Sequence, residues 1–139
     1  MTAEEETNRQ IVIQYFNALQ NGDMAAFSAL FSDNILWHQP GSHPFSGIKK
    51  GINEIGEMIA GLMKASQGSF ALKQTDPLMI NGNLVTAPVV FQASTETLEL
   101  GMKGLDLFRI ENKKIVEVWL FSENQLMENE FWLSATQTE

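Results

Sequence analysis

The first half of the chain has three segments in which hydrophobic residues recur every three to four positions, the period of a helix. The first segment begins at Thr2, which has Glu5 at the spacing of a capping box, and it ends at Asn21-Gly22. The second is a short helix over 23–31 that the side chain of its first residue, an aspartate, can cap. The third covers 52–68. The pattern therefore predicts three N-terminal helices.

The pattern changes to strands in the second half of the chain. Asn81-Gly82-Asn83 stands between two segments of strand-forming residues, which is a strong signal for a hairpin turn. The residues at 41–47 have the composition of a loop. We expect strands at 35–38, 69–80, 84–97, 100–110 and 115–121, and a final helix at 123–133.

Helices followed by a meander of long antiparallel strands are typical of an α+β fold. We expect a curved antiparallel sheet that wraps around the three N-terminal helices and leaves a pocket between the two layers. In strand 115–121, Val116, Val118 and Leu120 alternate with another set that is also largely apolar, Ile115, Glu117, Trp119 and Phe121. A sheet with one face in water alternates more cleanly. We therefore expect a homodimer that forms through the free face of the sheet.

Composition excludes several kinds of site and partner. The 139 residues have the length of one domain, 1–139, and they include no cysteine, which excludes disulfides and thiol chemistry. With only two histidines and no glycine-rich phosphate loop, we expect no metal and no cofactor. The net charge of −8 comes without a basic cluster, so we expect neither nucleic acid nor membrane as a partner. The acidic N-terminus is unlike a secretory signal, and we expect a cytoplasmic location.

Four stretches follow one another in a recognisable order along the chain. They are 15–23 (YFNALQNGD), 30–38 (LFSDNILWH), 45–48 (FSGI) and 105–119 (LDLFRIENKKIVEVW). Together they resemble the nuclear-transport-factor-2-like superfamily, which includes ketosteroid isomerases, SnoaL-like polyketide cyclases and non-catalytic members. The resemblance implies a cone-shaped α+β barrel of the cystatin-like type.

The resemblance to ketosteroid isomerases implies roles for three residues. Their oxyanion tyrosine lies eight residues before the aspartate of a Gly-Asp pair, as Tyr15 lies before Asp23. Their neutral aspartic acid opens an Asp-x-x-Arg motif, which Asp106 opens here. Their base is an aspartate nine residues before a glycine, and counting back from Gly47 gives His38. The resemblance thus implies Tyr15 and Asp106 as donors to an oxyanion, with His38 as the base in place of aspartate.

The local sequence supports each role and leaves a structural alternative open beside it. Asp106 lies between two leucines, where burial raises the pKa of a carboxyl; it is a neutral donor in the pocket or a hydrogen-bonded core residue. Tyr15 lies on the core side of its helix, where it donates into the pocket or only packs. An imidazole at His38 takes a proton readily near neutral pH, or else braces the loop 39–46. We expect His43 at the surface or at the rim.

The expected pocket suits a small, mostly hydrophobic or carbonyl-bearing molecule, because it joins apolar walls with three polar groups. A further resemblance, to limonene-type epoxide hydrolases, depends on Arg109, because those enzymes hold a water molecule with two aspartates and an arginine. Arg109 lies three residues after Asp106 and so faces the other side of a strand, and no second aspartate completes that set. The expected pocket walls are Phe16, Trp37, Ile55, Ile59, Phe91 and Trp119.

These residues leave three functions open. The first is a cofactor-independent proton-transfer enzyme, an isomerase or cyclase acting on a hydrophobic carbonyl compound, with His38 as base and with Tyr15 and Asp106 at the enolate oxygen. The second is a binding module that holds a ligand in the same cavity without converting it. The third is a dimeric protein-interaction scaffold with a filled cone. Convergence of the three side chains on one open cavity would favour the first two functions over the third.

Overall fold

The chain forms a curved sheet with helices packed on one side of it. The computed structural model describes residues 1–137. In this range the helices are α1 (Ala3–Gln20), α2 (Met24–Ser28), α3 (Gly51–Ala65) and α4 (Gln125–Gln137). The strands are β1 (Phe31–Gln39), β2 (Gly47–Lys50), β3 (Ala71–Gln74), β4 (Met79–Asn81), β5 (Leu84–Ser94), β6 (Glu99–Glu111) and β7 (Lys114–Ser122).

The seven strands described within residues 1–137 form one sheet in the order β2-β1-β7-β6-β5-β3, and β4 pairs with the start of β5. The sheet is curved and does not close into a barrel. The predicted α+β fold, with a curved sheet against the N-terminal helices, is confirmed. One detail differs from a pure meander, because β1 runs parallel to β7. None of the helices in residues 1–137 is long and apolar enough to cross a membrane.

The first two helices begin where the capping residues predicted. The Thr2 Oγ1 accepts a hydrogen bond from the Glu5 amide at 3.0 Å, and the Thr2 amide donates to Glu5 Oε1 at 2.9 Å. The Asp23 side chain accepts from the Ala26 amide at 3.0 Å and caps α2. However, α2 ends at Ser28 and not at 31, because Phe31 already pairs with β7 in the sheet.

Several strand boundaries differ from the prediction, among them the start of β1, which lies at Phe31 and not at 35. The expected strand 69–80 is divided into β3 and β4, with Pro77 between them, because proline has no amide hydrogen to donate to a sheet. The strand β2 was not predicted: Gly47 fell in the expected loop, and the rest of β2 lies between that loop and the expected third helix. It pairs antiparallel with β1, and this long-range contact fixes a segment whose local sequence favours a loop.

A bulge in β7 changes which residues face the helices. Arg109 pairs with Glu117 while the next residue of β6, Ile110, pairs with Ile115, so β7 has one extra residue at this point. Ile115 and Val118 are both fully buried, although they lie an odd number of residues apart. The alternation predicted for 115–121, which grouped Ile115 with Trp119 and Phe121, is therefore wrong at Ile115.

Alternation along the strands divides the sheet into two faces. We call the face toward the helices the inner face; on β6 it carries Met102, Asp106, Phe108 and Ile110, all buried. We call the opposite one the outer face; on β6 and β7 it carries Leu105, Leu107, Arg109, Trp119 and Phe121, which are partly or largely exposed. The core and the candidate site both lie between the inner face and the helices.

Candidate functional site

A cavity of about 750 Å³ lies between the inner face and the helices α1, α3 and α4. At its margin are exposed side chains at the end of α1, on α3 and on β3, among them Asn21, Met63 and Lys73. Its deeper walls are mostly apolar. They include Leu19, Trp37, Met58, Ile59, Leu62, Phe70, Val89, Phe91, Leu120 and Trp132. A cavity of this size and character suits a small, largely hydrophobic molecule.

Asp106 lies on the wall of this cavity, in the middle of β6. Its neighbours across the sheet are Ala87 on β5 and Leu120 on β7, and only 4% of the residue is exposed. Its Oδ2 atom is buried and has no hydrogen-bond partner among residues 1–137. Burial raises the pKa of Asp106 from 3.8 to about 7, because the charged form loses its hydration. The protonated acid therefore persists toward neutral pH as a hydrogen-bond donor facing the cavity.

Tyr15 lines the same cavity from α1. Its ring packs edge-on against Phe16 and Phe108, at centroid distances of 5.0 and 4.9 Å, and the residue is fully buried. Burial, together with the charge of Asp106, raises the pKa of Tyr15 well above its usual value of 10. The phenol therefore keeps its proton, and it shares the cavity wall with a carboxyl that is mostly protonated below about pH 7.

His38 lies on the outer face and does not line the cavity. Trp37 faces the cavity, and the next residue of an extended strand points to the other side. The His38 Nε2 atom is 2.7 Å from Glu117 Oε2, and its ring stacks on that of Trp119 at 5.3 Å, nearly parallel. The structure thus brings Tyr15 together with Asp106 but does not bring His38 to them.

Glu117 joins His38 to a second cation on the outer face. Its Oε1 accepts a hydrogen bond from Arg109 Nη2 at 2.9 Å, and Arg109 also pairs with Glu111. The hydrogen bond to His38 and the contacts with Arg109 lower the pKa of Glu117 below its usual value. Arg109 faces away from Asp106, as its three-residue spacing predicted. These residues form an ionic group on the opposite face of the sheet from the cavity.

The structure divides the predicted pocket walls into three sets. Trp37, Ile59 and Phe91 line the cavity. Phe16 and Ile55 are buried in the core and do not line it. Trp119 lies on the outer face beside His38, because both residues follow an inward-facing neighbour on their strands, and its prediction as a pocket wall is wrong.

The cavity has a second polar region that the sequence analysis missed. Glu128 on α4 is only 4% exposed and lines the cavity together with Ser122 and Gln39. It accepts hydrogen bonds from Ser122 Oγ at 2.6 Å, Gln125 Nε2 at 3.1 Å and Trp132 Nε1 at 3.2 Å. The sequence feature that could have indicated Glu128 is its position one helical turn before Trp132, a large apolar residue of the last helix.

His43 is buried, whereas a surface or rim position was predicted. Its Nδ1 accepts a hydrogen bond from the Phe45 amide at 3.2 Å, and its ring lies against Phe45 and Trp132. Burial lowers the pKa of His43, so the neutral ring is favoured. Across residues 1–137, no group of three or more His, Asp or Glu side chains is placed to hold a metal ion.

Comparison with known proteins places the chain among proteins of the same fold. The model of the SnoaL-like domain matches residues 12–118. A protein of unknown function with a cystatin-like fold from Xanthomonas campestris is 39% identical; the match covers 90% of this chain and 97% of that one, with a TM-score of 0.85. Bal32a, from a soil-derived mobile gene cassette, is 22% identical over 93% of this chain and 98% of its own, with a TM-score of 0.87. The uncharacterised protein Rv0034 of Mycobacterium tuberculosis is 20% identical over 92% of this chain and 98% of its own.

Proposed function

Because the chain belongs to the SnoaL-like domain family, and with it to the nuclear-transport-factor-2-like superfamily, we propose that its cavity binds a small, mostly hydrophobic carbonyl compound. In this proposal Asp106 and Tyr15 donate hydrogen bonds to the carbonyl oxygen. Proteins of this fold include cyclases and epoxide hydrolases, so the fold is compatible with chemistry in such a cavity. The reaction class that fits these two donors is proton transfer next to a carbonyl, as in an isomerase or a cyclase.

The unpartnered Oδ2 of Asp106 is the observation that carries this proposal. A buried polar group without a partner costs about 1–3 kcal/mol. Asp106 lies where a cavity adjoins it, on a wall that is otherwise largely apolar. A ligand oxygen that accepts a hydrogen bond from Asp106 would remove this cost. An aspartate at this position therefore destabilises the protein without a ligand and favours binding of one.

The two donors suit an oxygen that gains negative charge during a reaction. When a proton leaves the carbon next to a carbonyl, the electron pair moves toward the oxygen and an enolate forms. Two O–H groups that are already oriented and shielded from water stabilise this charge without reorganisation. No redox step is needed, so the proposal requires no cofactor.

The bicyclic ketone 2-tetralone, labelled with ¹³C at the carbonyl, tests this proposal. We expect wild-type protein to bind it in calorimetry and to shift its carbonyl ¹³C resonance downfield, because hydrogen bonds polarise the carbonyl. The shift should decrease in Asp106→Asn, which keeps a weaker donor, and decrease further in Asp106→Leu, with affinity lower by about tenfold for one lost hydrogen bond. Asp33→Asn is the control, since Asp33 is exposed. Absence of binding, or a shift that is unchanged in Asp106→Leu, would refute the proposal.

A ligand-binding module without turnover is the second candidate function. The position of His38 favours it, because the residue expected as the base lies on the outer face. The two candidates differ in one measurable property: a binder shifts the carbonyl resonance of 2-tetralone without accelerating the exchange of its α-protons with solvent.

We also propose that two copies of the chain associate through the outer face. Apolar side chains on this face remain accessible, including Phe121 at 53%, Ile48 at 53% and Val90 at 38% exposure. They lie on separate strands and not on one loop. An apolar sheet face of this kind is more typical of an interface than of a surface in water.

A further inference from the structure

The proposed chemistry needs a group that takes a proton, and the cavity lacks the histidine expected for it. Apart from Tyr15 and Asp106, the titratable side chains that line the cavity within residues 1–137 are Lys73 and Glu128. Lys73 is exposed at the margin, whereas Glu128 is buried at depth. We infer that Glu128 is the general base that removes the proton from a ligand held by Asp106 and Tyr15. This inference rests on the proposed function and extends it.

The sheet register places Glu128 near Asp106. Asp106 is paired directly with Leu120 on β7, and Ser122 lies two residues further along the same face of that strand. Such diagonal neighbours are about 7–8 Å apart between Cα atoms. Because Ser122 Oγ donates to Glu128 Oε1 at 2.6 Å, the glutamate is held against the wall that carries Asp106. A small ligand that contacts Asp106 with its oxygen can therefore present a neighbouring carbon to Glu128.

Glu128 has one acceptor position left for a proton. A carboxylate has about four such positions, two on each oxygen. Two are used on Oε1, by Ser122 and Gln125, and one on Oε2, by Trp132 Nε1 at 3.2 Å. The remaining position is on Oε2. The three donors also fix the orientation of the carboxylate, which a general base requires.

The surroundings of the two cavity carboxyls separate their roles. Asp106 Oδ2 receives no hydrogen bond, and burial favours the protonated form of this residue. Glu128, by contrast, accepts three hydrogen bonds, and both of its carboxylate oxygens act as acceptors. Two carboxyls in unlike environments can supply an acid and a base at the same pH. Here the acid would be Asp106 and the base Glu128.

The step is a proton transfer without a change of oxidation state. The C–H bond next to the ligand carbonyl breaks, the proton moves to Oε2 of Glu128, and the electron pair forms the enolate. The enolate oxygen accepts hydrogen bonds from Asp106 and Tyr15. The proton then returns from Glu128 to the same or another carbon of the ligand, which regenerates the carboxylate.

Exchange of the α-protons of 2-tetralone in D₂O, followed by ¹H NMR, tests this assignment. We expect wild-type protein to accelerate the exchange and Glu128→Ala to reduce the acceleration by at least about 100-fold, the effect typical of a lost general base. Binding of 2-tetralone should change by less than about threefold, since the carbonyl donors remain. Glu130→Ala is the matched control, because Glu130 is exposed on the same helix.

Two further measurements separate a base from a structural residue. Added acetate should restore exchange in Glu128→Ala, because a free carboxylate fits the vacated space, whereas chloride at equal ionic strength should not. If Glu128→Ala does not fold, Glu128→Asp keeps the charge but withdraws it by one methylene, and we expect exchange to fall by about tenfold or more. Circular dichroism of each variant checks the fold.

The outcomes distinguish this inference from the proposed function. If 2-tetralone does not bind, or if its carbonyl shift is independent of Asp106, the proposed function fails and the assignment fails with it. If binding depends on Asp106 but wild-type protein does not accelerate exchange, or if the Glu128 variants exchange as fast as Glu130→Ala, only the assignment of Glu128 is overturned.

Discussion

Among single residues, Asp106 links the candidate site to the stability of the fold. Its pKa is about 7 in the folded protein and 3.8 as the ordinary value, so the folded state binds more protons between these two values. The stability that this proton gives is complete below about pH 4 and is lost as the pH rises to about 7. A difference of about 3 pKa units corresponds to on the order of 4 kcal/mol in the free energy of unfolding.

Asp106→Asn should remove this pH dependence, since asparagine does not titrate. Between about pH 5 and pH 8, we expect the free energy of unfolding of the wild type to fall by roughly 3 kcal/mol relative to that of the variant. Urea unfolding at several pH values measures it. Asp33→Asn, at an exposed position, should follow the wild-type curve. A wild-type curve parallel to that of Asp106→Asn would show that Asp106 is ionised in the fold.

The sequence located some residues of the site better than others, for physical reasons. The resemblance to ketosteroid isomerases placed all three residues in the cavity, and the local pattern supported two of them, because Tyr15 lies on the apolar stripe of a helix and Asp106 on an apolar strand face. His38 was placed by its spacing from a glycine, and spacing does not determine which face of β1 a side chain takes. Glu128 was missed because its partners, Ser122 and Trp132, become its neighbours only when α4 packs against β7.

Among the elements, those with strong local signals were predicted correctly and those fixed by distant contacts were not. The capping box of α1 and the turn before β5 depend on a few adjacent residues, and both are confirmed. The bulge in β7 and the pairing of β1 with β7 depend on residues far apart in the chain. Periodicity in one sequence cannot detect them, because each strand is interpreted without its partner.

The loop before β2 contacts α4 closely at Gly41. A Cβ atom at this position would overlap the ends of the Asn129 and Gln125 side chains, and the backbone has a φ of +88°. We therefore expect Gly41→Ala to lower the free energy of unfolding by about 2–3 kcal/mol, through steric overlap and backbone strain together. It should also slow the exchange of the α-protons of 2-tetralone, because Gln125 donates to Glu128 and helps to orient its carboxylate.

Gly82→Ala is the matched comparison for Gly41→Ala. Gly82 has a φ of +61°, but a Cβ atom there has open space around it. Only the strain of the left-handed conformation remains, at about 1 kcal/mol. Urea unfolding of both variants measures the difference. If both variants lost the same free energy of unfolding, the added Cβ at Gly41 would be accommodated without cost, and its close contact with α4 would not contribute to the effect.

At the scale of the whole molecule, the outer face of the sheet lies opposite the helices, which do not cover it. The register of the sheet aligns one residue from each of six strands in a continuous row. The row is Ile48, His38, Trp119, Leu107, Thr86 and Met79, without an acidic side chain. This absence matters because the chain carries a net charge of −8, and a row without carboxylates avoids repulsion between two copies at this part of the face. The face of the sheet is thus suited to association of two copies.

Phe121→Glu should convert the protein from a dimer to a monomer. Phe121 lies on the outer face next to Leu105 and is 53% exposed in one chain, so its burial would contribute to an interface. A glutamate there would bring one carboxylate from each copy into an apolar contact, at a cost of several kcal/mol for each buried charge. Sedimentation equilibrium should give twice the chain mass of 15.5 kDa for the wild type and one chain mass for the variant.

Leu126→Glu is the control for this prediction, since it adds the same charge at a residue that is 68% exposed on α4. It should leave the dimer intact, because α4 packs on the inner side of the sheet, away from the outer face. Binding of 2-tetralone should persist in Leu126→Glu, because Leu126 is not one of the residues that line the cavity. A monomeric wild type would refute the association of two copies, and loss of the dimer in Leu126→Glu alone would place the contact between them elsewhere. A dimer that persists in Phe121→Glu would exclude the outer face around β6 and β7 as the interface.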